Sequence, residues 1–198
     1  PISSELGLQS LSVPEQYGGA GFGFVELGIV MEEMGRSLLC APYFSSTVLA
    51  TTAILNAGDE TQKQFLLPGL AGGGTRAALA ITEPNGQWLA SGTQMIAEAK
   101  GSGYVLTGEK SFVIDGHTAD MIVVVARMKG TTGSEGISFF TVDGNSAGLE
   151  KKLLETMDPT RKLAHLTFRQ VEAHLLGEEA KGNEAYLKTQ DQAVIALA

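Results

Sequence analysis

Very little in this 198-residue chain is suited to building a covalent or metal-stapled scaffold. It has one cysteine, Cys40, which excludes an internal disulfide and fits a reducing cytosol, so a cytoplasmic location is expected. The flanking Leu39 and Ala41 predict that Cys40 is a small buried side chain. His117, His165 and His174 are scattered without metal-ligand spacing and read as surface or strand positions. Charge is also sparse: 14 basic against 22 acidic residues leave a formal net charge of −8. No cluster of Lys and Arg is present to neutralise phosphates, which argues against a nucleic-acid partner. No apolar run approaches the roughly 20 residues of a membrane span, and no basic stretch followed by an apolar one reads as a signal peptide. The first residue is Pro1 rather than Met, so the natural start is expected to lie upstream. What remains is 43% hydrophobic, enough for one large core or two small ones.

The chain changes character twice. Up to about Arg76 it reads as helical. Phe24, Leu27, Met31, Met34 and Leu38 recur at steps of three and four and mark one helix face. A second helix, apolar nearly all round and so buried, is predicted from Ser45 or Ser46 as N-cap, with Gly58 as a left-handed C-terminal cap. Asp59 and Gln62 form a capping-box pattern for a third helix, which Pro68-Gly69 is expected to end.

From Ala77 the pattern is that of strands: Ala78 to Thr82, Tyr104 to Leu106, Ser111 to Ile114, Met121 to Ala126, Ile137 to Val142 and Leu163 to Phe168. Turn signals separate them, Thr107-Gly108 and Asp115-Gly116 among them. Short strands without intervening helices predict an antiparallel barrel or sandwich, with the doubly apolar Ile122 to Val125 run at its centre. From about Glu184 a further helix begins, and its uncapped end at Ala198 reads as cut.

Three segments offer themselves as sites. Gly18-Gly19-Ala20-Gly21 lacks the preceding strand and the spacing of a phosphate-binding loop, so it reads as a turn-rich entry to a helix. Thr82, at a strand end before Glu83-Pro84-Asn85-Gly86, either terminates that strand or offers a hydroxyl and an N–H to the polar edge of a heterocycle. Phe112, beside the turn at Asp115-Gly116, is either core or a flat surface for a planar ring. Periodicity does not separate these readings.

In chain order, several segments resemble the acyl-CoA dehydrogenase family. They are Val13 to Gly21, Glu32-Glu33-Met34-Gly35-Arg36, Gln62 to Pro68, Ala80-Ile81-Thr82-Glu83-Pro84, Leu106 to Gly116 and Ala119-Asp120. The resemblance spans nearly the whole chain. It implies a multidomain α and β fold: a helical N-terminal domain (1–76), a flavin-binding antiparallel β-barrel or sandwich domain (77–182) and the start of a C-terminal helical bundle (183–198). It also implies FAD as cofactor, an acyl-CoA substrate, oxidation at the α,β carbons to a trans-enoyl-CoA, electron transfer flavoprotein as acceptor, and a homo- or hetero-oligomer. The family's base lies in the C-terminal bundle, so no residue of this chain is expected to be catalytic.

Carried over residue by residue, the resemblance assigns Ile81 and Thr82 to the flavin pyrimidine edge with Leu79 nearby. Phe112 lies against the isoalloxazine, followed by Val113 and Ile114. Two positions depart from the family. Trp88 stands where relatives have a Ser that contacts flavin and thioester, which makes it the substrate-binding position. Ile114 stands where they have Thr or Ser. Each lost hydrogen bond costs about 1 kcal/mol, and the two together about tenfold or more in affinity. These departures, with Met157 to Arg161 and Gly35 to Leu38, resemble a divergent branch acting on steroid or other bulky acyl-CoAs. Three readings stay open: a competent dehydrogenase, a non-catalytic subunit that completes a partner's flavin site, and an oxidase or monooxygenase on the same scaffold.

Overall fold

The computed structural model of the chain describes residues 6–197, so the readings made at Pro1 and Ala198 fall outside the described residues. Helix α1 (Phe24–Arg36) opens with the Gly23 N–H donating to Glu26 Oε2 at 2.9 Å. Its Leu27 is fully buried, and Phe24, Met31 and Met34 pack beside it against Phe44 and Val48. Leu38, expected on the same stripe, falls beyond the helix at φ 50° and is exposed.

The second helical segment starts with π-type turns over Phe44–Ala50 and continues as α2 (Thr51–Ala57). Neither serine caps it. Ser45 Oγ donates to Asp115 Oδ2 at 2.7 Å, and Ser46 Oγ accepts the Ala77 N–H at 3.1 Å, so both stitch the helix to the sheet. Gly58 is extended (φ −69°), not left-handed. A Cβ there would stand 2.9 Å from the Ile54 carbonyl oxygen, so the residue is small because α2 and the end of the last strand crowd it.

Helix α3 (Glu60–Ala71) has the expected capping box, with Asp59 Oδ1 accepting the Gln62 N–H at 2.8 Å and Gln62 Oε1 accepting the Asp59 N–H at 3.0 Å. It runs through Pro68 rather than ending there. The carbonyl that the ring displaces belongs to Gln64, which is exposed, so water can satisfy it.

Seven strands follow: β1 (Ala77–Ala80), β2 (Ile96–Lys100), β3 (Gly103–Ile114), β4 (Met121–Met128), β5 (Ile137–Asp143), β6 (Leu149–Leu153) and β7 (Leu163–Leu176). The ring β4–β2–β3–β7–β5 closes back on β4. The wall is antiparallel except at one edge of β4, where β1 pairs in parallel with Met121 to Val124 and β2 with Arg127 and Met128. The two strands expected around a Thr107-Gly108 turn are one strand, β3. Gly108 (φ 148°) sits at a bulge where a Cβ would come 3.0 Å from Met95 Cα.

β4 is apolar on both faces because it separates two cores. Ile122, Val124 and Ala126 point into the barrel with Leu106, Phe140 and Phe168. Val123 and Val125 point outward, where Ile54, Leu67, Leu70 and Tyr186 cover them. The chain ends in α4 (Gly182–Leu197), tied to α2 by Asn56 Nδ2, which donates to Thr189 Oγ1 (3.0 Å) and Gln192 Oε1 (2.8 Å).

Candidate functional site

A cleft of about 690 Å³ opens between the ends of β1 and β3, the loop at residues 86–89, the π-turns and α4. All seven residues nominated from the sequence line it: Leu79, Ile81, Thr82, Trp88, Phe112, Val113 and Ile114. The two strand ends are joined directly, the Ser111 N–H donating to the Thr82 carbonyl at 2.8 Å.

Behind this bond lies a pair of buried charges that the sequence reading did not single out. Lys110 Nζ, fully buried, donates to Glu83 Oε1 at 2.7 Å and to the Ile81 carbonyl at 2.9 Å. Glu83, itself buried, also accepts the backbone N–H of Gln94 (2.7 Å) and Met95 (3.0 Å). Burial holds the Lys110 ammonium down at about 8, and the Glu83 carboxylate offsets part of that shift. The signal was available: Lys110 shares the inward phase of Leu106 along β3, so a barrel-facing cation there demands a partner.

Phe112 reaches the cleft because β3 bulges. Its register steps from Lys110 opposite Leu166 to Val113 opposite Ala164, leaving one residue extra. Phe112 takes up that residue at φ 56° and turns its ring out of the barrel, while Val113 stays buried in it. A left-handed aromatic is a strained choice, costing on the order of 1–3 kcal/mol, and strain of this kind concentrates at functional positions. Ile114 packs beside the α1 and π-turn cluster. The Thr82 hydroxyl has no hydrogen-bond partner among the described residues.

Trp88 sits on a loop braced from both sides. Asn85 Nδ2 donates to the Gly92 carbonyl (2.7 Å), and Asn85 Oδ1 accepts the Gln87 N–H (3.0 Å). From α4, Tyr186 Oη (2.8 Å) and Gln190 Nε2 (2.9 Å) both donate to the Trp88 carbonyl. Burial pushes the Tyr186 phenol up to about 12, helped by the nearby Glu83 charge, so it remains a donor at neutral pH. Arg127, buried and without a carboxylate partner among the described residues, anchors the next turn. Its guanidinium donates to the carbonyls of Thr93 (2.9 Å), Glu135 (2.7 Å) and Gly133 (2.6 Å). The backbone around Trp88 is therefore fixed while the residue is 72% exposed.

α4 completes the cleft with Gln190, Val194 and Leu197, and the π-turns add Phe44 and Leu49. These residues were out of reach of the sequence reading, since nothing in a helix pattern says which strand end it will face. The Gly18 to Gly21 segment is the turn expected, with Gly18 at φ 81°. Cys40 is exposed rather than buried, since it falls on the connection between α1 and the π-turns instead of inside a helix. Among the described residues no group of His, Cys, Asp and Glu could hold a metal ion. No helix among them is long and apolar enough to cross a membrane.

Two family models match the chain: the acyl-CoA dehydrogenase N-terminal domain over residues 3–74 and the acyl-CoA dehydrogenase middle domain over residues 78–171. The chain is 32% identical to an acryloyl-CoA reductase (NADH) of Anaerotignum propionicum, over 98% of this chain and 51% of the relative. It is also 32% identical to the mitochondrial isovaleryl-CoA dehydrogenase of Pongo abelii, over 98% of this chain and 48% of the relative. A solved structure of an acyl-CoA dehydrogenase complexed with FAD from Bacillus anthracis superimposes with a TM-score of 0.89 at 30% identity, covering 98% of this chain and 34% of that one. The chain thus spans about half the length of the curated relatives it matches.

Proposed function

The chain belongs to the acyl-CoA dehydrogenase family, and we propose that it forms the flavin-holding part of an oxidoreductase acting on an acyl-CoA thioester. The reaction removes hydrogen from the α and β carbons and leaves a trans-enoyl-CoA. The observation that carries this reading is the convergence of Ile81–Thr82 and Phe112–Ile114 on one cleft.

The residues present fit FAD. The cleft has the size of a small-molecule site, its walls are mostly apolar, and the strand end at Thr82 brings a hydroxyl with no partner among the described residues. When bound, FAD supplies the acceptor for the hydride from the substrate's β carbon. Phe112 presents a ring face to a planar group, and Thr82 presents its hydroxyl to a polar edge. Leu79, Leu163 and Val194 contribute to the apolar wall of the cleft. The bonds from Lys110 and Ser111 keep the two strand ends at fixed separation. None of these residues is assigned the carboxylate base. Electron transfer flavoprotein is the proposed electron acceptor, and a homo- or hetero-oligomer the proposed assembly.

Trp88 favours a second reading, in which this chain is the non-catalytic subunit of a heteromeric enzyme and completes a partner's flavin site. Its exposed indole occupies the rim where a thioester would pass. Titration with FAD separates the two. Trp88 is the only tryptophan of the chain, so its fluorescence reports on the cleft directly. Quenching that saturates at one FAD per chain supports the first reading. Half that stoichiometry, seen only with a dehydrogenase-like partner chain present, supports the second, and no binding in either setting removes both.

In the flavin-binding form, Phe112→Ala is expected to weaken FAD binding roughly three- to tenfold, the usual worth of one aromatic contact beyond its buried area. The same titration measures it, with exposed Phe65→Ala on α3 as an unaffected control.

A further inference from the structure

The outer face of the barrel wall carries three polar side chains in a row that the cleft chemistry above does not use. Ser111 is buried and lines the cleft. Its Oγ lies 3.1 Å from His165 Nδ1, the only hydrogen-bond contact of that hydroxyl among the described residues. His165 Nε2 in turn lies 3.6 Å from Glu109 Oε2. Exposure rises along the row: Ser111 is 7% exposed, while the His165 and Glu109 side chains are 27% and 51% exposed.

The β3 bulge produces this arrangement. Glu109 pairs with Thr167 and Lys110 with Leu166, and the register then slips before Val113 meets Ala164. His165 therefore faces the bulged residues instead of a regular partner. Ala164, Leu166 and Phe168 fill the barrel, which leaves His165 on the outer face between Leu163, at the cleft, and Thr167. The charged groups that face His165 are Glu109 from β3 and Lys152 of β6, its register partner.

We propose that Ser111, His165 and Glu109 form a proton path connecting the cleft to solvent along the outer face of the barrel wall. The path uses the tautomer in which Ser111 Oγ–H donates to Nδ1 and the neutral imidazole carries its proton on Nε2, toward Glu109. A proton leaving a group in the cleft goes to Ser111 Oγ as the serine's own proton passes to Nδ1. The imidazolium so formed is stabilised by Glu109 and releases its Nε2 proton there or to water. One proton enters, one leaves, and exchange of the part-exposed ring with water restores the starting tautomer. The path rests on the reading of the cleft as a flavin site for what it serves, since a reduced flavin must shed a proton when it is reoxidised.

The test uses the FAD-loaded protein, together with its partner chain if loading requires one. The flavin is reduced anaerobically and mixed with ferricenium ion, an oxidant that neither takes up nor releases protons. Flavin absorbance reports electron loss, and a pH-indicator dye reports proton release. In the unmodified protein the two are expected to coincide. In Ser111→Ala and His165→Gln, each of which breaks the row at a different link, proton release should lag flavin reoxidation at least tenfold. FAD absorbance and affinity should stay unchanged in His165→Gln, which is not among the cleft-lining residues, and Ser111→Ala is compared with it at saturating FAD. Glu109→Gln should produce a smaller lag, because water remains as the final acceptor. Proton release that keeps pace with reoxidation in both Ser111→Ala and His165→Gln overturns the path and leaves the flavin site standing. Failure of FAD to bind in any setting removes the site and the path together.

Discussion

Lys110→Met is expected to destabilise the fold by about 3–5 kcal/mol, because it leaves the Glu83 carboxylate buried without its counter-charge. Glu83 keeps two backbone donors, Gln94 and Met95, yet these do not replace an ammonium at 2.7 Å. The pair closes the gap between the two cleft segments, so flavin retention should fall with stability. The pH dependence gives a second signature. The folded-state value of Lys110, about 8, lies below its ordinary 10.5. Between those values the unfolded chain holds a proton that the folded chain has released, so this group's contribution to stability rises with pH across that window. Below about 8 the cost of burying the ammonium is present in full. The methionine variant lacks this term, and the unpaired carboxylate left in it is harder to bury as pH rises. Urea midpoints at pH 7 and pH 9.5 should therefore show a gap between the two proteins that widens at the higher pH. A gap that narrows would show that the folded chain holds the Lys110 proton more tightly than the unfolded chain does, with Glu83 outweighing burial.

Gly177→Ala should be comparably severe for a different reason. Gly177, just past β7, has φ 78°, and a Cβ there would stand 2.0 Å from the Ala57 carbonyl oxygen. The oxygen is backbone and the Cβ is fixed by the Gly177 backbone, at the seam between helices and sheet, so neither can swing aside. The same seam is tied by Gln62, whose Oε1 accepts the Gly177 N–H at 2.8 Å while its Nε2 donates to the Leu175 carbonyl at 2.7 Å. A loss of at least about 3 kcal/mol is expected from strain and overpacking together. Gly130→Ala separates the two causes. Gly130 is also left-handed, at φ 87°, but no atom lies within 4 Å of its Cβ position, so it should lose only about 1–2 kcal/mol. Equal shifts in urea midpoint for the two alanines would refute the close-approach account.

Local chemistry was the part of this fold that could be read in advance. The Asp59–Gln62 box and the two-faced β4 run depend on neighbours within a few residues, and both stand in the structure as expected. Readings failed where a distant element decided the outcome. Gly58 and Gly108 look like turn formers, yet each is small because another chain segment presses on it. Ser45 and Ser46 look like caps, yet they bond to Asp115 and Ala77 across the seam between helices and sheet. β2 and β6 escaped notice because Ile96–Lys100 and Leu149–Leu153 are rich in Ala, Lys and Glu, and their pairing partners rather than their composition make them strands. The cleft residues of β1 and β3 were identified through motif resemblance. The half supplied by α4 and the π-turns needed tertiary structure.

The way residue 88 is held also bears on how this site can change. Both bonds from α4 reach its main-chain oxygen, which any amino acid supplies, and the indole makes no hydrogen bond among the described residues. The loop is thus indifferent to which side chain it displays. A library of variants at this single codon should fold alike and differ only in what the cleft admits, which makes position 88 an economical starting point for redirecting ligand choice.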